Sequence, residues 1–455
     1  MGSLFGALLN SANALQIYGR VFSVIQNNVT NANTPGYVKQ DQSLVAMPFN
    51  PAANLDGGVQ AGPVLSSRDE YLEQAVRNQQ ELLGSAQQKA SDLAQVQPLF
   101  DTSGNSGVPN ALNEFFNNFS QLSVNPSSQV SRQNVIDAAG QVAQAFNQNA
   151  AGIAQVTANV VNQTRAAVTT INQIAAQVAE INQRFRNNSG STQDAGLDAQ
   201  LHAALENLSQ AANYTLIKTQ DGTYSVYLGG QTPVVIGDQS LPITADFSTP
   251  QTIIRDAQGN DITAQLDNTG GSLGALIEEH NTTLPGYKTT LDTLAKSFAD
   301  TVNTTLSLGV DNSGNPPAVN LFTYNAVAGA AYTLAVTNIT PNDIAAALPA
   351  APGGNGNAIA MAQLANAPVA GGFTFTEAYG NLGGQVGRDV ANAQQNQTVQ
   401  QNLVTQAQQQ RASSTGVSLD EEAAKLLQFQ QAYQAVGKLV SVLDGLTQTV
   451  IDMVK

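Results

Sequence analysis

The chain has 455 residues and a formal net charge of −15, a length that suggests about three domains of ~150 residues each. Only 11% of the residues are charged, whereas 42% are hydrophobic. An acidic chain without a Lys/Arg cluster argues against nucleic acid or an anionic membrane surface as a partner. With no cysteine, the chain can form no disulfide, no thiolate metal site and no cysteine nucleophile.

The first twenty residues have no basic segment ahead of their apolar residues, and Gly6 and Asn10 interrupt the apolar stretch. They are therefore a poor match to a cleaved secretory signal peptide. No run approaches the roughly 20 apolar residues that a membrane-spanning helix needs. Composition leaves two alternatives open, a cytosolic protein and a protein exported by a route that uses no cleaved signal.

The N-terminal segment predicts a long amphipathic helix. Its apolar residues recur at alternating spacings of four and three, with one polar member at Ser11. This heptad spacing predicts a coiled-coil-like surface on one helix face. The residues of this N-terminal stripe are Leu4, Leu8, Leu15, Tyr18, Phe22, Ile25 and Val29. The Pro35-Gly36 pair ends the pattern and predicts a turn, after which residues 37–66 are predicted to be extended.

Helical spacing resumes after the extended segment. It predicts helices over residues 68–96 and 110–122, a long helix that follows Pro126, and a short helix over 197–208. Most of the chain between residues 67 and 211 is therefore expected to be helical.

The middle of the chain has strand signals. Thr215–Thr219 and Tyr224–Leu228 predict two strands joined at an Asp-Gly turn. A helix is predicted at about 273–308. A second β-leaning region, rich in Gly, Pro and Asn, covers about 312–375 and includes a predicted strand at 332–336.

The chain ends in another amphipathic helix. Ser418 and Glu421 have the spacing of a capping box, and the first turn is acidic, which suits a helix N-terminus. Apolar residues then alternate at spacings of three and four, with polar members at Glu422 and Thr447. The residues of this C-terminal stripe are Leu419, Leu426, Phe429, Tyr433, Val436, Val440, Leu443 and Val450.

The sequence offers few groups for catalysis. Residues 270–274 fit G-x-S-x-G, but only His280 follows, eight positions beyond Ser272, so a triad in the required chain order is excluded. Asp311 begins a segment that lacks the Gly and Glu of a calcium loop and predicts a polar turn. His202 and His280 are predicted to be surface or rim residues. We expect no catalytic, metal-binding or cofactor-binding residue and no enzyme activity.

Together these segments predict an α+β multidomain protein. Long terminal helices would pack together as coiled-coil-like axial domains, with a β-rich outer domain inserted in the middle. The predicted parts are an N-terminal axial helix and extended segment (1–66), a helical domain (67–211), the β-rich outer domain interrupted by a helix at about 273–308 (212–378), and C-terminal helices that pack with the N-terminal helices (379–455). The stripes need a partner, and pattern alone leaves open whether they pair within one helical domain or between subunits of a polymer.

Residues 27–37 resemble the N-terminal signature of bacterial flagellar rod, hook and hook-associated proteins. Within this axial protein family, the Phe115-Phe116 and Leu291-Asp292 blocks resemble the hook–filament junction members more than hook or rod members. The segment Ser414–Ala424, with Gln430–Ala435, is the closest match. The resemblance marks an assembly motif, whose residues are Asn28, Asn31, Asn33, Thr34, Pro35, Gly36 and Tyr37.

The resemblance implies a structural subunit of the bacterial flagellum that polymerises at the junction between hook and filament. It implies export by the flagellar type III export apparatus, without a cleaved signal peptide, to the extracellular flagellum. The implied partners are further copies of the chain, the hook protein, the second hook-associated (junction) protein and an export chaperone of the FlgN type. No nucleic acid, membrane or cofactor is implied. The C-terminal stripe is the candidate chaperone contact.

Two alternatives remain at this point. Within the family, the chain could be another axial protein, a hook or distal-rod subunit. From a different class, it could be a secreted adhesin that uses the β-rich domain.

Overall fold

A computed structural model describes residues 2–50, 55–187, 194–267 and 270–454. The described part is mainly helical with short antiparallel strands, which confirms the predicted α+β class with long terminal helices. Contacts divide the chain into two compact units. Unit 1 comprises Met1–Leu83, Thr170–Pro242 and Gln400–Lys455, and unit 2 comprises Gly84–Thr169 and Ile243–Val399. The borders of the four predicted parts remain predictions.

The helices are α1 (Gly2–Asn31), α2 (Glu70–Val96), α3 (Gly107–Val124), α4 (Gln129–Asn187), α5 (Ala195–Ala211), α6 (Thr263–Leu266), α7 (Gly271–Glu278), α8 (Leu284–Ser307), α9 (Ala330–Thr333), α10 (Gly356–Gln363), α11 (Phe375–Thr415) and α12 (Leu419–Val454). A π-helix, Glu279–Thr283, lies between α7 and α8. None of the described helices combines the length and the apolarity needed to cross a membrane.

The strands are β1 (Gln40–Ala46), β2 (Phe49–Asn50), β3 (Leu55–Asp56), β4 (Val59–Ser66), β5 (Tyr214–Lys218), β6 (Tyr224–Leu228), β7 (Thr232–Ile236), β8 (Gln239–Ser240), β9 (Thr244–Asp246), β10 (Ile253–Arg255), β11 (Phe322–Thr323) and β12 (Ala335–Val336).

Unit 1 contains the terminal helices and most of the sheet structure. Strands β1 and β4 pair antiparallel beside α1, and β5 to β8 form an antiparallel four-stranded sheet in sequence order. The predicted hairpin is confirmed, with Ile217 opposite Ser225. Gly222 adopts a φ of 83° in its turn, a conformation that glycine reaches without a Cβ clash.

Unit 2 is built around aromatic side chains of α3 and α8. The Phe298 ring lies 5.4 Å from that of Phe115 and 5.3 Å from that of Phe375, centroid to centroid. Arg132 of α4 is also buried there, and its guanidinium donates to the carbonyl oxygens of Pro126 and Pro341 at 2.8 and 3.1 Å. Backbone carbonyls thus satisfy a buried cation and connect α4 to a distant loop.

The predicted strand at 332–336 is wrong in its first half. Ala330–Thr333 forms helix α9, and only Ala335–Val336 pairs as a strand. The Asp292 carboxylate accepts a 2.8 Å hydrogen bond from the Ala331 amide, and the Thr333 hydroxyl donates to the Gly329 carbonyl. These local bonds stabilise a helical turn where β-propensity alone favoured a strand.

The prediction that both histidines are surface or rim residues is also wrong. His202 and His280 are buried, in α5 and the π-helix. His280 stacks edge-on against Phe247 at 6.4 Å, so an aromatic neighbour covers a side chain that sequence polarity had placed at the surface.

Candidate assembly site

The terminal helices α1 and α12 lie side by side in unit 1. The rings of Tyr18 and Phe429 are 5.8 Å apart, centroid to centroid. Asn28, ten residues further along α1, contacts Glu422, seven residues before Phe429. The two helices therefore run antiparallel, and the N- and C-terminal stripes meet within one chain.

The N-terminal stripe is only partly buried. Ile25 is buried, Val29 is exposed, and the others are half-buried: Leu4, Leu8, Leu15, Tyr18 and Phe22. The most buried positions of α1 form a neighbouring line: Ser11, Ala14, Ile17, Val21, Ile25 and Asn28. Helix α1 packs on β1 and β4 as well as on α12, so its buried surface extends beyond the face that the heptad spacing predicts.

The C-terminal stripe is less covered still. Leu443 is buried, Phe429, Val436, Val440 and Val450 are half-buried, and Leu419, Leu426 and Tyr433 are exposed. Further exposed apolar residues lie outside the predicted stripe: Leu427, Leu439, Val442, Leu446, Ile451 and Met453. The three-four spacing of positions 439, 442 and 446 was a readable signal for this second face. Helix α12 thus has two apolar faces, one that packs against α1 and one that is turned away from it.

Asn28 connects three elements of unit 1. Its amide nitrogen donates to the Gln40 carbonyl at 2.8 Å and to the Glu422 carboxylate at 3.0 Å. Its amide oxygen accepts from the Gln40 backbone N–H at 3.0 Å and from the Tyr37 hydroxyl at 2.9 Å. The side chain is fully buried and all four bonds suit an amide, so it fixes the relative position of α1, β1 and α12.

Tyr37 keeps its proton in this arrangement. Burial first, and then the negative charge of Glu422, raise the pKa of Tyr37 to about 12. The phenol is therefore neutral at physiological pH and donates to Asn28 while accepting from the Asn27 amide at 3.1 Å.

The start of α12 is joined to the chain after the motif by further contacts. The Lys39 backbone N–H donates to the Thr415 carbonyl at 2.9 Å, and its ammonium lies 3.3 Å from Glu421. Lys425 pairs with Asp41. The predicted helix start is confirmed, since the Glu421 amide donates to the Ser418 hydroxyl at 3.4 Å.

Gly36 forms the turn of the assembly motif. Its φ is 75°, and an added Cβ would lie 2.3 Å from the Ala199 carbonyl oxygen of α5. The Arg68 guanidinium donates to the Gly36 carbonyl at 2.6 Å. Only glycine satisfies both the conformation and the close approach.

The other motif residues support the turn locally. Asn31 donates to the Asn27 carbonyl at 3.0 Å and accepts from the Thr34 hydroxyl at 3.1 Å. Asn33, Thr34 and Pro35 are exposed. The motif therefore has an inner part, which sets the geometry of the terminal helices, and an outer part that is open to solvent.

Sequence reasoning missed a charged network behind the motif. Arg68 donates to Asp198 at 2.8 Å and to Glu73 at 2.5 Å, and Arg411 donates to Glu73 at 3.0 Å and to Glu206 at 2.9 Å. The network connects α2, α5 and α11 within unit 1. Its members lie far apart in the sequence, so no local pattern signals them.

His202 lies next to this network. It is 2% exposed, and neither ring nitrogen has a hydrogen-bond partner within the described ranges. Its Nε2 is 3.7 Å from Asp198, too far for a hydrogen bond. Burial, followed by the positive charge of Arg68, lowers the pKa of His202 to about 2. Burial and the nearby cations disfavour the protonated imidazole more than the nearby carboxylates favour it, so His202 is neutral.

The two segments that resembled a catalytic motif and a calcium loop are a helix start and a turn in the structure. The G-x-S-x-G segment forms the start of α7, with only Gly270 ahead of the helix, and not the loop that was expected there. Asp311 accepts 2.8 Å bonds from the Ser313 and Asn315 amides in a polar turn. Among the residues that the structure describes, no cluster of three or more His, Asp or Glu could hold a metal ion.

Two protein-family models match this chain. One, described as flagellar basal body rod FlgEFG protein C-terminal, matches residues 408–453, so the end of α11 and α12 is similar to a class of flagellar rod proteins. The other, described as flagellar hook-associated protein FlgK helical domain, matches residues 93–322, just over half of the chain. The chain therefore belongs to the flagellar hook-associated protein FlgK family.

Relatives match along the whole length. Flagellar hook-associated protein 1 of Bacillus subtilis (strain 168) is 25% identical over 501 residues, covering 99% of each chain. The protein of the same name from Escherichia coli (strain K12) is 22% identical over 552 residues and covers both chains fully. The flagellar hook junction protein FlgK from Burkholderia pseudomallei has a TM-score of 0.67 at 18% identity, covering 74% of this chain and 99% of that one, which shows the shared fold.

Proposed function

We propose that the chain is a structural subunit of the bacterial flagellum, that it forms the junction between hook and filament, and that it polymerises through its terminal helices. Family membership and the names of its relatives support the junction role. The structural observation that carries polymerisation is the apolar surface of α12 that α1 leaves uncovered.

This uncovered surface is continuous along the second half of α12. Leu439, Val442 and Leu446 follow one another at three-four spacing and are all exposed, Val442 by 59%. Contiguous exposed apolar surface is typical of a protein–protein contact. The same helix from neighbouring copies supplies a complementary apolar surface, and burying it would contribute free energy to assembly.

The partners and the location follow from the same proposal. The subunit would contact the hook protein on one side and the second hook-associated protein on the other, in the extracellular part of the flagellum. It would reach that place through the type III export apparatus without a cleaved signal, and it would not act as an enzyme.

A deletion strain tests the junction role. We expect electron microscopy to show intact hooks without filaments, and flagellin to be lost to the medium. Missing or abnormal hooks would instead indicate a hook or distal-rod subunit. Normal flagella would contradict both.

We also propose that the C-terminal stripe binds an export chaperone of the FlgN type before assembly. Val436 is the test position because it is half-buried in the middle of the stripe. Val436→Asp should weaken binding to the purified chaperone at least tenfold in calorimetric titration, and it should reduce assembly. Gln434→Asp, at an exposed polar position of the same helix, controls for the added charge. Unchanged chaperone binding, export and motility with Val436→Asp would contradict the proposal.

A further inference from the structure

Glu279 is a buried acid without a hydrogen-bond donor. It is the first residue of the π-helix between α7 and α8 in unit 2, and it is 2% exposed. Neither of its carboxyl oxygens receives a hydrogen bond from the part of the chain that the structure describes. An ionised carboxylate in such a place is strongly disfavoured because nothing replaces its hydration. π-helical turns occur frequently at functional positions.

The neighbouring acid, Asp92 of α2, is in the opposite situation. It is 1% exposed, but side-chain amides of Gln88, Gln163 and Gln95 donate to it at 2.6, 3.0 and 3.3 Å. No donor of this kind in the described ranges reaches Glu279, so a negative charge on its carboxylate would be buried without compensation.

The other charged groups around Glu279 already have partners. On α2, Lys89 pairs with Glu278 of α7. On α8, the Tyr287 hydroxyl donates to Asp389 of α11 at 2.7 Å. These groups line an open cleft of about 620 Å³ together with Glu279. The cleft gives protons access to Glu279, and the nearby cation Lys89 is paired with Glu278.

We propose that Glu279 carries a proton in the folded protein, and that this proton makes the stability of unit 2 fall as the pH rises through neutrality. The inference concerns unit 2 alone and does not depend on the proposed function. Burial first, and then the hydrogen bond and the charge of Asp92, raise the pKa of Glu279 to about 10 from an ordinary value of 4.5. Lys89 opposes this shift only in part.

The direction of the effect follows from proton counting. Between the ordinary pKa of 4.5 and the raised value of about 10, the folded protein retains a proton that the unfolded chain has released. Raising the pH therefore favours the unfolded chain, and the unfolding equilibrium constant should increase up to about tenfold per pH unit.

Equilibrium urea unfolding of the full chain at several values from about pH 6 to about pH 8 tests the inference. Glu279→Gln keeps the shape and an N–H donor toward Asp92 but cannot ionise, so it should remove this pH dependence and stabilise the protein at the alkaline end. Glu278→Gln, at the adjacent and more exposed carboxylate, should leave the dependence in place. If the free energy of unfolding changed with pH equally in the wild-type protein and in Glu279→Gln, the inference would be overturned.

Infrared spectroscopy gives a second measurement that does not depend on the variant folding. At neutral pH the folded wild-type protein should show the carbonyl band of a protonated carboxyl group, shifted by isotope labelling of glutamate. Glu278→Gln should retain the band. A spectrum of the folded wild-type protein without a protonated glutamate would overturn the inference.

Discussion

Asn28 and Glu422 lie 394 positions apart in the sequence, and the Asn28 amide donates a 3.0 Å hydrogen bond to the Glu422 carboxylate. Glu422 is fully buried and interrupts the apolar C-terminal stripe. The bond connects the end of α1 to the start of α12. Glu422 interrupts the apolar spacing of the stripe, and through Asn28 it holds the assembly motif against α12.

Replacing Asn28 should destabilise unit 1. Asn28→Ala removes four hydrogen bonds and leaves the buried Glu422 carboxylate without its amide donor, so we expect a loss of about 3 kcal/mol in the free energy of unfolding. Urea unfolding followed by circular dichroism measures this loss. Asn33→Ala, at an exposed position of the same motif, should change it by less than about 0.5 kcal/mol. Equal losses would show that the buried bonds contribute little.

Alanine substitutions at Gly36 and Gly230 distinguish two costs of an added Cβ, backbone strain and steric overlap. Both have a φ of 75°, but an added Cβ lies 2.3 Å from the Ala199 carbonyl at Gly36 and 3.7 Å from the nearest atom, on Thr215, at Gly230. We expect Gly230→Ala to cost about 1 kcal/mol through strain alone. Gly36→Ala should cost about 2–4 kcal/mol because α5 must also shift. Thermal unfolding compares them, and a Gly36→Ala protein as stable as Gly230→Ala would contradict the close approach.

The exposed face of α12 should matter for assembly and little for folding. Val442→Asp places a charge on an apolar surface that is exposed in the single chain, so the free energy of unfolding should change by less than about 1 kcal/mol. In a complemented deletion strain, filament number should fall at least tenfold, because the charge would be buried on assembly. Gln428→Asp, also exposed on α12, should support normal filaments. Normal filaments with Val442→Asp would remove this face from the assembly surface.

His202 should make unit 1 sensitive to acid. Its pKa is lowered to about 2 from 6.5, so between these values the unfolded chain binds a proton that the folded protein does not. Stability should therefore decrease as the pH falls below about 6.5, by up to about 1.4 kcal/mol per pH unit. Nitrogen NMR of the folded protein should show a neutral imidazole at about pH 5. His202→Gln should flatten the acid side of the profile, and a protonated imidazole at that pH would contradict the assignment.

Local spacing predicted the long helices and the hairpin at Asp221-Gly222, because both depend on residues that are close in sequence. It did not predict which face of α1 is most buried, since β1 and β4 also cover that helix. It misplaced His202 because sequence polarity does not show burial by distant segments. The Arg68–Glu73–Arg411 network joins three remote segments, so only the folded chain displays it.

The division of unit 1 among three distant stretches has a consequence for the order of folding. A chain that is synthesised or threaded from its first residue presents α1 long before the partner helix α12 exists. Closing so long a loop costs conformational entropy that only the late contacts repay. Unit 1 therefore stays incomplete until residues 400–454 have been made, so the contacts of its first helix are among the last to form.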